Sequence, residues 1–403
     1  MLKKTALHAV HQQLGGQLTD FGGWEMPLWY PTGGVKEHLF VIEKSGLFDI
    51  SHMAVVRVKG GKALDLLQLC LTRNVEKLAV GSCGYTMILD EQSHVVDDCI
   101  VYNMGGEDYI LVVNAGMGTI VSEHLAKHNS FSAAEVSVHD DVGLFGKLDL
   151  QGPASVGIVK KLLEKGKGSV EGLKYFKFLG DYARKDSAIQ FAGGIPILLS
   201  RTGYTGEVGF EILMPYDRTV DVWNMILEAG KDDVIPCGLA ARDSLRTGAV
   251  LPLSHQDIGA WPFVHTPWDF ALPRDKEGKL TKSFIGSGLY DNPPSQYTYP
   301  FCGYDPRKVE TEGAAALVDG KEAGVVSTCV IDMAIGRVDG KIYSIASPDK
   351  PEGFHARGLV CGYVRIDRSL APGTKITLKD ARRSIEVEIV TDIRPARTAR
   401  IAI

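Results

Sequence analysis

The chain has 403 residues, 45% of them hydrophobic and 23% charged, with a formal net charge of −5. That length exceeds what one hydrophobic core organises, so two or three domains are expected, and the composition excludes a disordered or fibrous chain. Without a long basic run, or an apolar run near the ~20 residues of a membrane helix, neither nucleic acid nor a bilayer is an expected partner.

In chain order, a first helix is expected over about 6–14, capped by Thr5, with Leu7, Val10 and Leu14 on one face and Gly15-Gly16 as its stop. Stretches 54–58, 95–102 and 109–113 are short and β-rich, and Gly105-Gly106 joins the last two as a hairpin. Pro153 opens a second helix with Val156, Val159, Leu162 and Leu163 as its stripe, ended by Gly166. Stretches 195–200 and 210–214 flank a tight 203–206 turn as a second hairpin. A third helix follows Asp217, with Val220, Trp223, Ile226 and Leu227 inward and Gly230 as terminator.

This mixture predicts an α+β fold rather than a doubly wound sheet. No GxGxxG turn follows a strand and no P-loop occurs. After about residue 273 the character changes. A charged connector, 275–282, leads into short strands at 314–318, 324–328, 358–364, 375–378 and 384–390, with almost no helical periodicity. The expected division is a catalytic region over 1–273, built of two intertwined α+β lobes, and a small β-barrel over 274–403. The seven cysteines are scattered, none in a CxxC pair, which points to reduced thiols in a cytosol-like compartment.

Four stretches carry candidate chemistry. FGGWEMP, 21–27, is dense in glycine and aromatics, and alone it is equally a packed turn. GLFDISHM, 46–53, sets a serine beside a histidine. Without a GxSxG elbow that is not a triad, and Asp49 or Ser51 bonding a turn is the plainer account. Asp97-Asp98 interrupts an apolar strand. Alternation turns the two carboxylates to opposite faces, so one is expected toward solvent and the other toward an interior or cleft. An inward carboxylate is either hydrogen-bonded for structure or functional. No other metal ligand stands at a recognisable spacing from the pair, so no metal is expected. In RTGYTGEVGFEI, 201–212, Glu211 projects opposite to Phe210 and Ile212. A carboxylate in such a wall can accept two parallel N–H bonds from an amidine-like ring edge, or it can be a salt-bridged strand residue. Arg242, in GLAARDSLR, can likewise clamp an anion or polar ring, or pair locally.

Taken together, FGGWEMP, GLFDISHM, VVDDCIVY, YILVVNAG, LQGPAS, SRTGYTGEVGFEI and PCGLAARDSLR, followed by a late Gly362-Tyr363-Val364 and Ala371-Pro372-Gly373-Thr374, resemble the glycine cleavage T-protein (aminomethyltransferase) family. The similarity is dense over roughly 5–260 and loose beyond. It implies a three-lobed cloverleaf around a central folate channel, with a small C-terminal β-barrel. It also implies tetrahydrofolate-dependent aminomethyl transfer: the aminomethyl group of a lipoylated H-protein passes to folate N5, giving 5,10-methylenetetrahydrofolate and ammonia, in the cytoplasm or, in a eukaryote, the mitochondrial matrix. By the resemblance Asp98 is the catalytic carboxylate, Glu211 binds the pterin, and Arg242 contacts folate. Asn114 is a channel asparagine, Met53 and Tyr85 line the pterin slot, and Tyr204 lies in the neighbouring turn.

The chain departs from the family after Arg246. Where the family continues LEAG and then LYG, an amide and an acid, this sequence runs Thr247-Gly248-Ala249-Val250-Leu251-Pro252-Leu253-Ser254-His255-Gln256-Asp257. Gly248 and Ser254 replace a glutamate and a tyrosine, and His255 is new. The family's TSG…SPT segment becomes Ser327-Thr328-Cys329-Val330-Ile331-Asp332, and an insertion-like stretch spans about 338–358. These changes are expected near the channel mouth. They keep open an alternative donor, a small N-, O- or S-methyl compound demethylated with folate, and point to His255 and Trp261 for a changed donor pocket. A folate-binding iron–sulfur maturation relative is disfavoured, because the 203–207 turn lacks the cysteine of the KGCYxGQE signature.

Overall fold

The computed structural model describes residues 1–132, 135–140 and 143–403. The fold is α+β, with three lobes around a central cavity. In the first lobe a six-stranded sheet runs in the order Phe178–Gly180, Leu198–Ser200, Gly209–Pro215, Phe145–Gln151, Gly46–Asp49, Ile235–Pro236. All its pairs are antiparallel except the last. Helices Ser155–Leu162 and Thr219–Gly230 cover it through Ile158, Val159, Val222, Trp223 and Ile226, which pack on Leu148, Leu150, Phe210 and Ile212.

The second lobe is a five-stranded antiparallel sheet in the order Cys83–Leu89, Val95–Gly105, Asp108–Val113, Ala54–Lys59, Ser137–Asp140. Helices Ala63–Cys70 and Gly118–His128 close its outer face. The two sheets meet through Val55, Tyr102, Ile110 and Val112 on one side and Phe145, Phe178, Leu198 and Leu213 on the other. The third lobe is the expected barrel, closed by six strands in the order Tyr297–Gly303, Leu359–Ile366, Lys321–Asp332, Ala315–Val318, Lys375–Lys379, Ser384–Ile389. Strict alternation, as in Ser384–Ile389, sends one face of each strand into the barrel core.

The three helices and both hairpins expected from the sequence are present within a few residues of their expected bounds. Four helices were not foreseen: Gly34–Glu43, Ala63–Cys70, Gly118–His128 and Leu239–Gly248. The last has few apolar positions, because it packs through Ala241 and Leu245 while its polar side chains serve the cavity and the barrel. The insertion-like stretch contributes Lys341–Ser344, which pairs with Ile335–Val338 as a surface hairpin. Among the described residues no helix is long and apolar enough to cross a membrane.

A buried ionic cluster joins the lobes. Asp332 ends a barrel strand. Its Oδ1 lies 2.9 Å from His38 Nε2, on the helix Gly34–Glu43, and its Oδ2 accepts from Arg394 Nη1 at 2.8 Å. His38 Nδ1 reaches Ser244 Oγ at 2.8 Å, and Arg394 also donates to the Thr205 carbonyl. Gly248 makes this possible: a Cβ there would collide with the Asp332 carboxylate and the Arg394 guanidinium. This part of the altered stretch therefore lies under the barrel rather than at a channel mouth. Further along the C-terminal segment, Arg201 Nη2 donates to the carbonyls of Ala399 and Ile401 at 3.0 and 3.1 Å, and Ala399 N–H donates to Gly206.

Burial alone would raise the Asp332 carboxyl, but His38 and Arg394 outweigh it and hold it well below the usual carboxylate range. Its contribution to stability is thus present above the ordinary carboxylate pKa and is lost as pH falls into the acid range. Asp332→Asn removes the nearer counter-charge of Arg394, leaving Glu207 at 3.5 Å, and is expected to cost about 3 kcal/mol at neutral pH. Denaturant unfolding of the variant against the parent checks this, and the gap should shrink toward low pH.

Candidate functional site

The cavity between the lobes has a volume of about 1840 Å³, and its wall takes in Met53, Tyr85, Asp98, Asn114, Tyr204, Glu211 and Arg242. Every residue singled out in the sequence for catalysis or cofactor binding therefore faces one space, although they come from two sheets, a turn and a helix.

The aspartate pair sits on Val95–Gly105. Asp97 shares a face with Cys99 and Val101, in the second lobe's core, and Asp98 shares the opposite face with Ile100 and Tyr102. Neither carboxylate faces bulk solvent, which corrects one half of the expectation: Asp97 is fully buried and Asp98 opens only into the cavity. The physical reason is that both faces of this sheet are covered, one by helices and one by the first lobe. Asn114, just past the neighbouring strand, clasps the pair. Its Nδ2 lies 2.8 Å from Asp97 Oδ1 and 2.8 Å from Asp98 Oδ1, and its backbone N–H donates to Asp97 Oδ2 at 3.0 Å. Tyr85 donates its hydroxyl to Asp98 Oδ2 at 2.7 Å, and Ser254 donates to Asp97 Oδ1 at 2.9 Å. Burial, and for Asp97 also the charge of Asp98, pushes both carboxyls up, Asp97 to about 7. Two carboxylates this close titrate as a unit, so the pair holds a proton near neutral pH.

The opposite wall is a lattice of alternating charges. Lys147, Asp149 and Gln151 point to one side of their strand while Leu148 and Leu150 fill the core on the other. Asp149 stands directly across from Glu211 in the adjacent strand. Lys147 Nζ donates to Glu211 Oε1 at 2.7 Å, Thr202 to Glu211 Oε2 at 2.6 Å, and Arg242 Nη1 to Asp149 Oδ2 at 2.7 Å. Burial would raise Glu211, but Lys147 and Thr202 overcome it, so this carboxyl is held down and ionised. Each of its oxygens keeps a lone pair for a ligand. Arg242 also lies over the Tyr204 ring, 4.7 Å from its centroid, and the Tyr204 hydroxyl donates to the Pro252 carbonyl. Gly203 is required here, because a Cβ would collide with the Gln151 amide.

Around these polar groups Met53, Ile100, Val112 and Phe270 supply apolar wall, with the Phe270 ring 5.8 Å from that of Tyr85. His52 joins them, buried, its Nδ1 without a partner, and held uncharged by burial. The plainer account of GLFDISHM holds: Ser51 N–H donates to Asp49 Oδ1 and Ser51 Oγ to the Lys147 carbonyl. His255 lies in the wall, whereas Trp261 does not and instead carries Arg365 over its ring at 4.1 Å. Sequence reasoning missed Lys147, Asp149 and Thr202. The signal was available in FGKLDLQ, two opposite charges spaced by two inside an otherwise apolar strand.

The GCVT N-terminal domain family matches residues 7–272. An aminomethyltransferase of Bacillus cereus is 40% identical over 85% of this chain and 93% of its own length. One of Streptomyces coelicolor is 34% identical over 83% of this chain and 87% of its own. The solved glycine cleavage system aminomethyltransferase T from Bartonella henselae is similar over 100% of both chains, with a TM-score of 0.79 at 26% identity.

An acid whose folded pKa is raised stabilises the fold while protonated and loses that contribution as pH rises through the folded value. For Asp97 the window runs from about 4, the unfolded carboxyl, to about 7. Thermal unfolding of Asp97→Asn against the parent should therefore show the variant gaining relative stability between pH 4 and pH 7 and no further change above about 8.

Proposed function

The chain belongs to the aminomethyltransferase family of the glycine cleavage system, and we propose that its one-carbon donor is the aminomethyl-lipoyl arm of an H-protein and its acceptor tetrahydrofolate. It is an aminomethyltransferase, an enzyme of one-carbon transfer. The observation that carries the finer reading is the convergence on one cavity of an ionised carboxylate, Glu211, and of Asp98, the cavity-facing member of a proton-holding carboxyl pair.

The residues fit a reduced pterin. Glu211 offers one free lone pair on each oxygen to an amidine edge, and Met53, Ile100 and Val112 offer apolar surface for a flat ring. Tetrahydrofolate, when bound, supplies two neighbouring amines that take up the one-carbon unit as a methylene bridge while ammonia and the dihydrolipoyl thiol leave. Glu211 anchors and orients the ring, and Lys147 keeps Glu211 charged for that purpose. Asp98, in the cavity wall, is the carboxylate that would meet those amines. It orients them, stabilises positive charge developing beside it, and takes or returns a proton. Tyr85 and Asn114 fix the Asp98 rotamer, so no reorganisation is needed at the moment of reaction. Arg242 and Tyr204 form the far side of the slot.

We divide the chain into a folate-binding catalytic region over 1–273 and a barrel domain over 274–403, and assign the protein to the cytoplasm, or to the mitochondrial matrix in a eukaryote. Demethylation of a small methyl compound is not favoured, since relatives at 34% and 40% identity are named for aminomethyl transfer.

Calorimetry with tetrahydrofolate should show binding, weakened about 10- to 100-fold by Glu211→Gln, the worth of one or two charge-assisted hydrogen bonds. Absence of binding to the parent protein would sink the reading. Asp98→Asn should abolish most turnover and leave folate affinity within about threefold. A donor screen with aminomethyl-lipoyl H-protein, sarcosine, dimethylglycine and methyl sulfonium compounds should yield methylenetetrahydrofolate from the first. Methyltetrahydrofolate from the last would restore the demethylase alternative.

A further inference from the structure

Asp97 is sealed from water. Its side chain has no exposure and is not part of the cavity wall, unlike Asp98 next to it. Four groups surround its carboxylate: the backbone N–H and the Nδ2 of Asn114, the hydroxyl of Ser254, and Nε2 of His255, 4.0 Å from Oδ1. The two amide groups hold their protons and cannot pass one on. A hydroxyl and an imidazole can. The His255 side chain is 49% exposed, so the Ser254-His255 turn is the one link between Asp97 and solvent among the described residues.

The turn is pinned by buried polar contacts. Arg246 donates to the Leu251 carbonyl at 3.2 Å and to Asp257 at 2.5 Å, and Asp257 accepts from the Leu253 N–H at 2.9 Å. His255 has φ 61° and Val250 φ 57°, the left-handed region that favours glycine. The family pattern has a tyrosine and a glycine where this chain has Ser254 and His255. The hydroxyl is kept in shortened form, and the residue suited to the backbone is exchanged for one that takes up protons.

We propose that His255, with Ser254, is the proton-exchange residue of the buried Asp97–Asp98 pair, a positioning residue that acts through Asp97 rather than on the one-carbon unit. The proposal rests on the reading of Asp98 given above. When the amine beside Asp98 loses its proton, the N–H bond breaks and the proton binds the Asp98 carboxylate. The Asp97 O–H then breaks and its proton passes by way of the Ser254 hydroxyl, 2.9 Å from Asp97 Oδ1, to His255 Nε2, 4.0 Å from the same oxygen. The imidazolium releases it to solvent. One proton enters the pair and one leaves, so the pair keeps a single negative charge. When the departing sulfur takes the Asp98 proton, the same route returns one from solvent to Asp97, so the pair is reset, no net proton is released, and none has to cross the Asn114 amide. The other ionisable groups facing the pair are Tyr85 and Tyr204 toward Asp98 and Cys99 beside both, each held protonated by burial.

Two measurements test this. In the ligand-free protein, NMR of carboxyl-labelled aspartate should show the Asp97 proton exchanging with solvent more slowly in His255→Gly and His255→Gln than in the parent, a coupling of that exchange to residue 255. An unchanged exchange rate overturns the proposal, whatever the folate site does. For turnover, His255→Gly suits the left-handed backbone, so folding is retained. It should lose about tenfold or more in kcat, keep folate Kd within about twofold, and recover in part with added imidazole. His255→Gln, which cannot carry a proton, should behave the same without rescue. Full activity of either variant, or a loss that imidazole does not restore in His255→Gly, overturns the assignment. Failure of the parent to bind tetrahydrofolate would instead strike the functional reading and leave the NMR coupling standing or falling by itself.

Discussion

A charge survives inside a protein only beside its opposite, and that constraint organises this molecule. Lys147, Asp149, Glu211 and Arg242 lie on two neighbouring strands and one helix, and each is stable there because of the others. Removing one would leave a bare charge in a region with little water. The lattice therefore ties the helix Leu239–Gly248 to the first sheet through Arg242 and Asp149, and it presents one ionised carboxylate, Glu211, to the cavity. The same four side chains brace the lobe and shape the charge of the cavity wall.

The aspartate pair obeys a different solution to the same constraint. Among the described residues no cation is paired with Asp98, and only the half-exposed His255 approaches Asp97. The pair is stabilised instead by neutral donors from Asn114, Tyr85 and Ser254, and by keeping a proton. One wall of the cavity thus carries fixed charge, and the other presents Asp98, whose neighbour Asp97 keeps a proton.

Much of this was legible in the sequence where a polar residue broke an apolar pattern. Asp97-Asp98 and Glu211 stood out for that reason, and the β-rich tail announced a barrel. Lys147 and Asp149 carried the same signal but lay in a stretch without turn residues to draw the eye. The helix Leu239–Gly248 escaped because its partners are mostly polar and distant in sequence. Asp332 could not be assigned at all, since its partners His38 and Arg394 lie 294 and 62 residues away. Nor was the exposure of the aspartate pair decidable, because alternation tells which residues share a face but not whether that face is covered. The altered stretch makes sense only in three dimensions. The absence of a side chain at Gly248 leaves the space that the Asp332 carboxylate fills from the barrel.

The C-terminal segment follows all three cores in chain order, yet Arg394 completes the buried cluster with Asp332, and the Ala399 and Ile401 carbonyls receive Arg201 from the first lobe. On a ribosome, the two sheets can form while the barrel is still being made, but Arg201 and Asp332 lack their contacts with residues 394–401 until that segment emerges. Residues 394–401 thus act as a late latch on the first lobe. Nascent chains therefore pass through a stage with complete sheets and an open cavity, the interval in which a chaperone or a protease has most to hold.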